Sequence, residues 1–192
     1  MRHTFKEMVL VYRAEQLEAW KAGDKSLMPG EIEHRAIVDN QPAYHFGEAF
    51  VLDHFMRLGW LGFADYVLMP QVEPNIARHR EGRQALERIA DPRRLAALRR
   101  ERNRSVDGMK GYGEPDLFLY QPTGEIMFVE VKKAGDTIKE NQLVCLAQLK
   151  EFLSCDAVIV YLQASGKPDH KAKQFTVDLE TERPPIIDVV VA

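Results

Sequence analysis

Gly113-Glu114-Pro115-Asp116-Leu117-Phe118-Leu119-Tyr120, followed by Phe128-Val129-Glu130-Val131-Lys132, is the stretch on which the fold turns. Leu117–Tyr120 and Ile126–Lys133 are β-prone runs, and Gln121-Pro122-Thr123-Gly124-Glu125 between them supplies turn residues. The pattern predicts two strands joined as an antiparallel hairpin. Side chains alternate along a strand, so Ile126, Phe128, Glu130 and Lys132 share one face while Met127, Val129 and Val131 share the other. Two opposite charges therefore sit with large apolar groups at the end of a strand that reads as interior. Burying them is costly unless something compensates. A divalent metal for the carboxylate, with a phosphate for the lysine, would do so. Across the five-residue turn, Asp116 is expected close to Glu130 and Lys132. Two carboxylates at a strand end suit a hard, oxygen-seeking cation such as Mg²⁺. A lysine beside them can orient a water or offset charge on a phosphate. Alone, the E-V-K triplet reads as a surface salt bridge of Glu130 with Lys132 or Lys133; the P-D at hairpin distance changes the balance.

Downstream, Thr137 and Glu140 fit a capping box opening a helix to about Leu153, with Leu143, Leu146, Leu149 and Leu153 as its buried stripe. Ala157–Leu162 reads as a buried strand parallel to the second hairpin strand, Ser165–Lys173 as loop, and Ile186–Val191 as a last strand after Pro184-Pro185. Upstream, Phe5–Ala22 has Phe5, Met8, Val9, Tyr12 and Trp20 near helical spacing, with Gly23 to end a helix. Asp24–Pro42 reads as polar loop, and Ala43–Leu58 as a helix with Gly59 at its C-terminal cap. Tyr66–Met69 suggests a short strand. Ile76–Ala90 and Pro92–Asn103 read as arginine-rich helices, with Asp91-Pro92 as N-cap and first helical residue, and Ser105–Gly113 as glycine-rich loop. This order of elements predicts an α/β or α+β fold.

Composition narrows the class. The 192 residues are 45% hydrophobic and 29% charged, which excludes a disordered, collagenous or coiled-coil chain and predicts one domain carrying an insertion. No run of 18 apolar residues exists, so no membrane span is expected. Met1–Leu10 has no signal-peptide pattern, and the two cysteines, Cys145 and Cys155, read as buried thiols. A cytoplasmic setting is the default expectation. Net charge is −3, yet residues 76–104 hold ten arginines against four acids, a local +6 that leaves −9 for the remainder.

The P-D and E-x-K pattern resembles the PD-(D/E)XK nuclease superfamily, and more closely its VRR-NUC (virus-type replication-repair nuclease) branch. The likeness rests on Gly113–Tyr120, Phe128–Lys132, Gly135-Asp136, Glu140, Gln142 and the leucine stripe, covering roughly residues 111–163. It extends to Glu48, in Gly47-Glu48-Ala49-Phe50, which looks like the acidic residue of the first core helix in such nucleases. The resemblance implies an α/β restriction-endonuclease-like core, a central mixed sheet flanked by helices. It implies Mg²⁺ or Mn²⁺ held by Asp116, Glu130 and the Val131 carbonyl with Glu48 nearby, Lys132 assisting the attacking water, and Gln142 facing the site. On this reading residues 1–42 are an N-terminal helix and loop, and 43–192 a nuclease domain with a helical insertion at about 76–104. The arginine helices depart from the smaller relatives. Arg93, Arg94, Arg99, Arg100 and Arg104, with Lys110 and Lys133, are the candidate contacts to DNA backbone, because arginines bind phosphate bidentately. The expected activity is metal-dependent hydrolysis of DNA phosphodiester bonds, structure-selective in repair or replication. Alternatives are an antibacterial toxin DNase neutralised by an immunity protein, and a non-catalytic DNA-binding module on the same fold. The small relatives suggest a homodimer.

Overall fold

The computed structural model describes residues 1–24, 26, 45–64, 66–70, 79–105, 112–179 and 186–191. In chain order the elements are β1 (Arg2–Tyr12), α1 (Ala14–Lys21), α2 (Phe46–Arg57), β2 (Leu61–Phe63), α3 (Arg80–Ile89), α4 (Pro92–Ser105), β3 (Leu117–Tyr120), β4 (Ile126–Lys133), α5 (Glu140–Leu153), β5 (Asp156–Ala164), β6 (Lys173–Asp178) and β7 (Ile186–Val191). The strands form one seven-stranded sheet in the order β2-β3-β4-β5-β1-β6-β7. β3 and β4 pair antiparallel, with Phe118 opposite Phe128, so the hairpin expected from the sequence is formed. β4 and β5 pair parallel through α5, with Glu130 beside Ile159 and Lys132 beside Tyr161. The fold is the expected α/β class, with a mixed sheet between helices.

Each face of the sheet is covered. On one, α3, α4 and α5 bury Leu86, Leu98, Cys145 and Leu149 against Phe118 and Phe128. On the other, α2 buries Val51, Leu52 and Phe55 against Leu117, Leu119, Val129 and Leu162. The leucine stripe of α5 is fully used, and each such side chain contributes roughly 1.5–3 kcal/mol when removed from water. Cys145 and Cys155 are free and buried, as their apolar surroundings suggest.

Several local expectations need correction. Phe5–Ala22 is not one helix. Residues 2–12 form β1, and only Ala14–Lys21 is helical. β1 lies inside the sheet, parallel to β5 on one side and antiparallel to β6 on the other. The unbroken run Met8–Tyr12 satisfies either period, and its parallel pairing with β5 decides for strand. α1 then packs Trp20 against Phe46 and Ala49 of α2. Tyr66–Met69 is buried but is not a strand; the Glu114 carboxylate accepts the N–H groups of Leu68 (2.8 Å) and Met69 (3.0 Å) in place of a ladder. The short strand is instead β2, paired with β3. β6 lay unforeseen in a segment that carries few apolar residues. Thr137 does not cap α5. The helix starts at Glu140 after Lys139, whose N–H donates to Gln142 Oε1 at 3.0 Å. Asp91 does act as foreseen, its Oδ1 accepting from the N–H groups of Arg93 and Arg94 at 2.9 Å each. Lys110, Arg78, Pro184-Pro185 and most of the 24–42 loop lie outside the described residues.

Gly113 fixes how the G-E-P-D turn meets α5. Its φ is +62°, and a Cβ there would fall 2.6 Å from the Asn141 carbonyl carbon and oxygen. Gly124 in the hairpin turn also has positive φ, +99°, but nothing lies within 4 Å of a Cβ built on it. Gly124→Ala is therefore expected to cost about 1 kcal/mol from backbone conformation alone. Gly113→Ala adds a collision with main chain and is expected to cost about 3 kcal/mol. Urea denaturation of the two variants checks this; equal losses would show that the turn does not rest on α5 as described.

Candidate active site

Five side chains singled out from the sequence line one cleft of about 440 Å³: Glu48, Asp116, Lys132, Lys133 and Gln142, with the Val131 backbone at its floor. Glu130 lies directly beneath, fully buried in the middle of the sheet. The cleft opens at the carboxyl end of β4, where α2, the G-E-P-D turn and the start of α5 converge. Gly47 lets α2 come close there, because a Cβ on it would meet Leu162 Cδ1 at 3.1 Å and Val131 Cγ1 at 3.3 Å. That approach puts Glu48 at the cleft wall. The ring cluster of Tyr12, Trp20 and Phe46 holds the same helix end, with centroids 5.1 and 6.0 Å apart.

Glu130 is gripped by its neighbours. Lys132 Nζ and Gln142 Nε2 each donate to Glu130 Oε1 at 2.5 Å. Gln142 thus joins two tasks, closing the first turn of α5 with its carbonyl and steadying Glu130 with its amide. Glu130 Oε2 is buried and has no hydrogen-bond partner among the described residues. Burial pushes the Glu130 carboxyl up to about 8, the charge of Asp116 adds to the rise, and Lys132 opposes it. Asp116 accepts the Val131 N–H at 2.7 Å. Burial lifts it to about 6, against that hydrogen bond and with help from the Glu48 charge. Glu48 behaves differently. Burial raises it, but His45 Nδ1, 3.2 Å from Oε1, and the charges of His45 and Lys133 outweigh that and hold the group below its ordinary value.

Two supporting roles escaped the sequence reading. Tyr66 donates its hydroxyl to the Pro115 carbonyl at 2.7 Å, and Glu114 holds the 68–69 backbone, so both brace the turn that carries Asp116. No local pattern signals either role, since their partners lie more than 40 residues away.

Among the described residues, no three carboxylate, imidazole or thiol groups gather closely enough to form a metal cluster unaided. Asp116 and Glu130 are the carboxyl groups that could receive a hard cation here. The unpartnered Oε2 of Glu130, beside a second carboxyl raised by burial, is the arrangement that an added positive charge would relieve.

The arginines divide into two groups. Arg94 donates from Nε to the Phe152 carbonyl at 2.6 Å and from Nη2 to Ser154 Oγ, capping the C-terminus of α5. Arg99 donates to the Leu68 carbonyl at 2.7 Å and pairs with Glu87 at 3.2 Å. Arg102 is buried against Gln148. These three hold α4 in place. Arg93, Arg100 and Arg104 are exposed, Arg104 with Glu101 beside it at 2.8 Å. Because Arg94 sits at Ser154 and the cleft at Gln142, Arg93 and Arg94 lie about 18 Å along α5 from the cleft, at 1.5 Å per residue.

Residues 65–162, just over half the chain, match the VRR-NUC domain. The chain belongs to the VRR-NUC family. The matched span takes in Asp116, Glu130, Lys132 and Gln142 of the VRR-NUC cleft, and leaves Glu48 and β1 outside it. No curated protein matches the chain. Among solved structures it is similar to paFAN1 bound to 2-nt 5′-flap DNA with a gap, at 27% identity over 38% of this chain and 13% of that one, with a TM-score of 0.32. It is also similar to paFAN1 bound to 1-nt 5′-flap DNA with a gap, at 16% identity over 64% of this chain and 25% of that one, again with a TM-score of 0.32. The chain thus spans a quarter or less of each of these two solved chains. No described helix is long and apolar enough to cross a membrane.

The raised carboxyls give stability a pH signature. From the ordinary value of 4.5 up to about 8, folded Glu130 keeps a proton that the unfolded chain has released. Stability therefore falls as pH rises through that window. Glu130→Gln removes this penalty. In chelator, its melting temperature relative to wild type is expected to climb between pH 5 and 8. A difference that stays flat with pH would contradict the buried, proton-retaining carboxyl.

Proposed function

We propose that this chain is a metal-dependent nuclease that hydrolyses DNA phosphodiester bonds at the Asp116–Glu130–Lys132 cleft. The observation that carries the reading is Glu130, wholly buried, with one oxygen held by Lys132 and Gln142 and the other unpartnered next to Asp116. Membership of a nuclease family supports it.

Asp116 and Glu130, with the Val131 carbonyl and Glu48, would hold Mg²⁺ or Mn²⁺. Such an ion lowers the pKa of a bound water and offsets charge on the phosphate. The chain's own residues supply the rest. The Val131 N–H orients Asp116, and Gln142 orients Glu130. The Lys132 side chain is 12% exposed, so its ammonium is shielded from solvent at the cleft wall, where it stabilises negative charge developing on a phosphate oxygen. Lys133 alternates to the other sheet face yet lines the same cleft near Glu48, a place suited to a neighbouring phosphate. Of the candidate arginines, Arg93, Arg100 and Arg104 are exposed and without a helix-capping role, and would meet duplex backbone further out.

Linear, nicked, flapped and four-way DNA, each with Mg²⁺ or EDTA, test the reading. Cleavage is expected with Mg²⁺ or Mn²⁺ and lost in EDTA. Lys132→Ala is expected to cut roughly 10²–10³-fold more slowly while still binding DNA in Ca²⁺. Undiminished cleavage in EDTA would overturn the metal mechanism, and a Lys132→Ala rate near wild type would make that lysine a salt-bridge residue only.

A further inference from the structure

A second ordered cluster stands on the same sheet face as Glu130 and Lys132. Lys132 pairs with Tyr161 on β5, and Tyr161 in turn with Val9 on β1. Paired residues of parallel strands share a face, and alternation along β1 puts Glu7 on that face too. Glu7 is a carboxylate only 8% exposed. It holds His170, whose Nε2 lies 2.7 Å from Glu7 Oε2, and it accepts the Lys173 N–H at 2.8 Å. The His170 ring stacks on Tyr161 at a centroid distance of 3.5 Å and 7° between planes. Gln163 accepts the His170 N–H at 2.7 Å.

These contacts pin the β5–β6 loop, residues 165–172, which is otherwise solvent-facing. A buried carboxylate and a stacked imidazole are a large investment for a plain connection, since each buried polar group must be matched to avoid a desolvation cost. The loop leaves the carboxyl end of β5. The cleft opens at the carboxyl end of β4, one strand spacing of about 4.8 Å away. Lys167 and Lys171 are exposed on the loop with Asp169 between them, and Lys132 and Lys133 line the cleft. Glu7, His170 and Tyr161 have no place in the catalytic reading above.

We propose that the 165–172 loop is a second backbone contact for DNA held in the cleft, with Lys167 and Lys171 meeting phosphates and His170 as the positioning residue that presents them. The proposal rests on the nuclease reading. Duplex affinity in Ca²⁺ and steady-state cleavage in Mg²⁺ test it on the full chain. The Lys167→Gln/Lys171→Gln variant is expected to raise KM and leave kcat unchanged. Two lost phosphate contacts at a slope of roughly −0.9 each mean that wild type loses about 12-fold more affinity than the variant between 50 and 200 mM salt. His170→Ala is expected to raise KM in the same direction. Added to the lysine pair it is expected to weaken binding no further, because it acts through those lysines. If the lysine pair binds with wild-type affinity and salt slope, the loop does not touch DNA, and the nuclease reading stands without it. If His170→Ala and the lysine changes add fully, His170 is not a positioning residue. If wild type neither binds nor cuts DNA, both readings fall.

Discussion

A carboxylate in the middle of a sheet is the constraint around which the molecule is arranged. Glu130 sits on β4, flanked by β3 and β5, with no solvent contact. Interior strands carry apolar side chains because a stranded charge there costs several kcal/mol. Here Lys132 comes from the same strand and Gln142 from the helix that crosses over to β5. Asp116 comes from the hairpin partner and fastens to the main chain next to Glu130. The parallel β4-α5-β5 unit and the β3–β4 hairpin are thus both needed to make Glu130 tolerable, and together they leave one of its oxygens buried with no hydrogen-bond partner among the described residues.

The basic segment shows how a charge pattern divides between architecture and surface. Its density of arginine reads as a nucleic-acid face, yet Arg94, Arg99 and Arg102 each point to main chain or a buried amide. Guanidinium groups suit this work, since their fork of donors can satisfy carbonyls at a helix end while the aliphatic stem packs. α4 therefore clamps α5 from its C-terminal end while Gln142 works at the other. Removing all the arginines at once would test the stability of α5 more than any contact with DNA.

The hairpin, α5, β5 and α2 were legible because propensity and periodicity agree there with the tertiary structure, even where the cap expected for α5 does not form. Asp116 and Lys132 were legible from the hairpin and the alternation of β4, whereas Glu48 and Gln142 entered only through the family resemblance; one cleft brings the four together. β1 was not, because Met8–Tyr12 is apolar without a break and only its pairing with β5 chooses the strand. That error also hid Glu7: on a helix it would be a surface carboxylate, and on β1 it is the buried anchor of His170. Tyr66 and Glu114 were hidden by distance along the chain, since hydrogen bonds between a coil and a remote turn leave no periodicity.

The central claim is that the raised carboxyl pair exists to receive a divalent cation. Calorimetric titration of Mn²⁺ near pH 7, repeated in buffers of different ionisation enthalpy, measures binding and proton release together. Ligands must lose their protons to bind a metal, so a protonated Glu130 gives up its proton when the ion enters. The account expects saturable binding with close to one proton released, and loss of that release in Glu130→Gln. Wild type that binds no Mn²⁺, or binds it with no proton released and equally well in Glu130→Gln, would contradict the account.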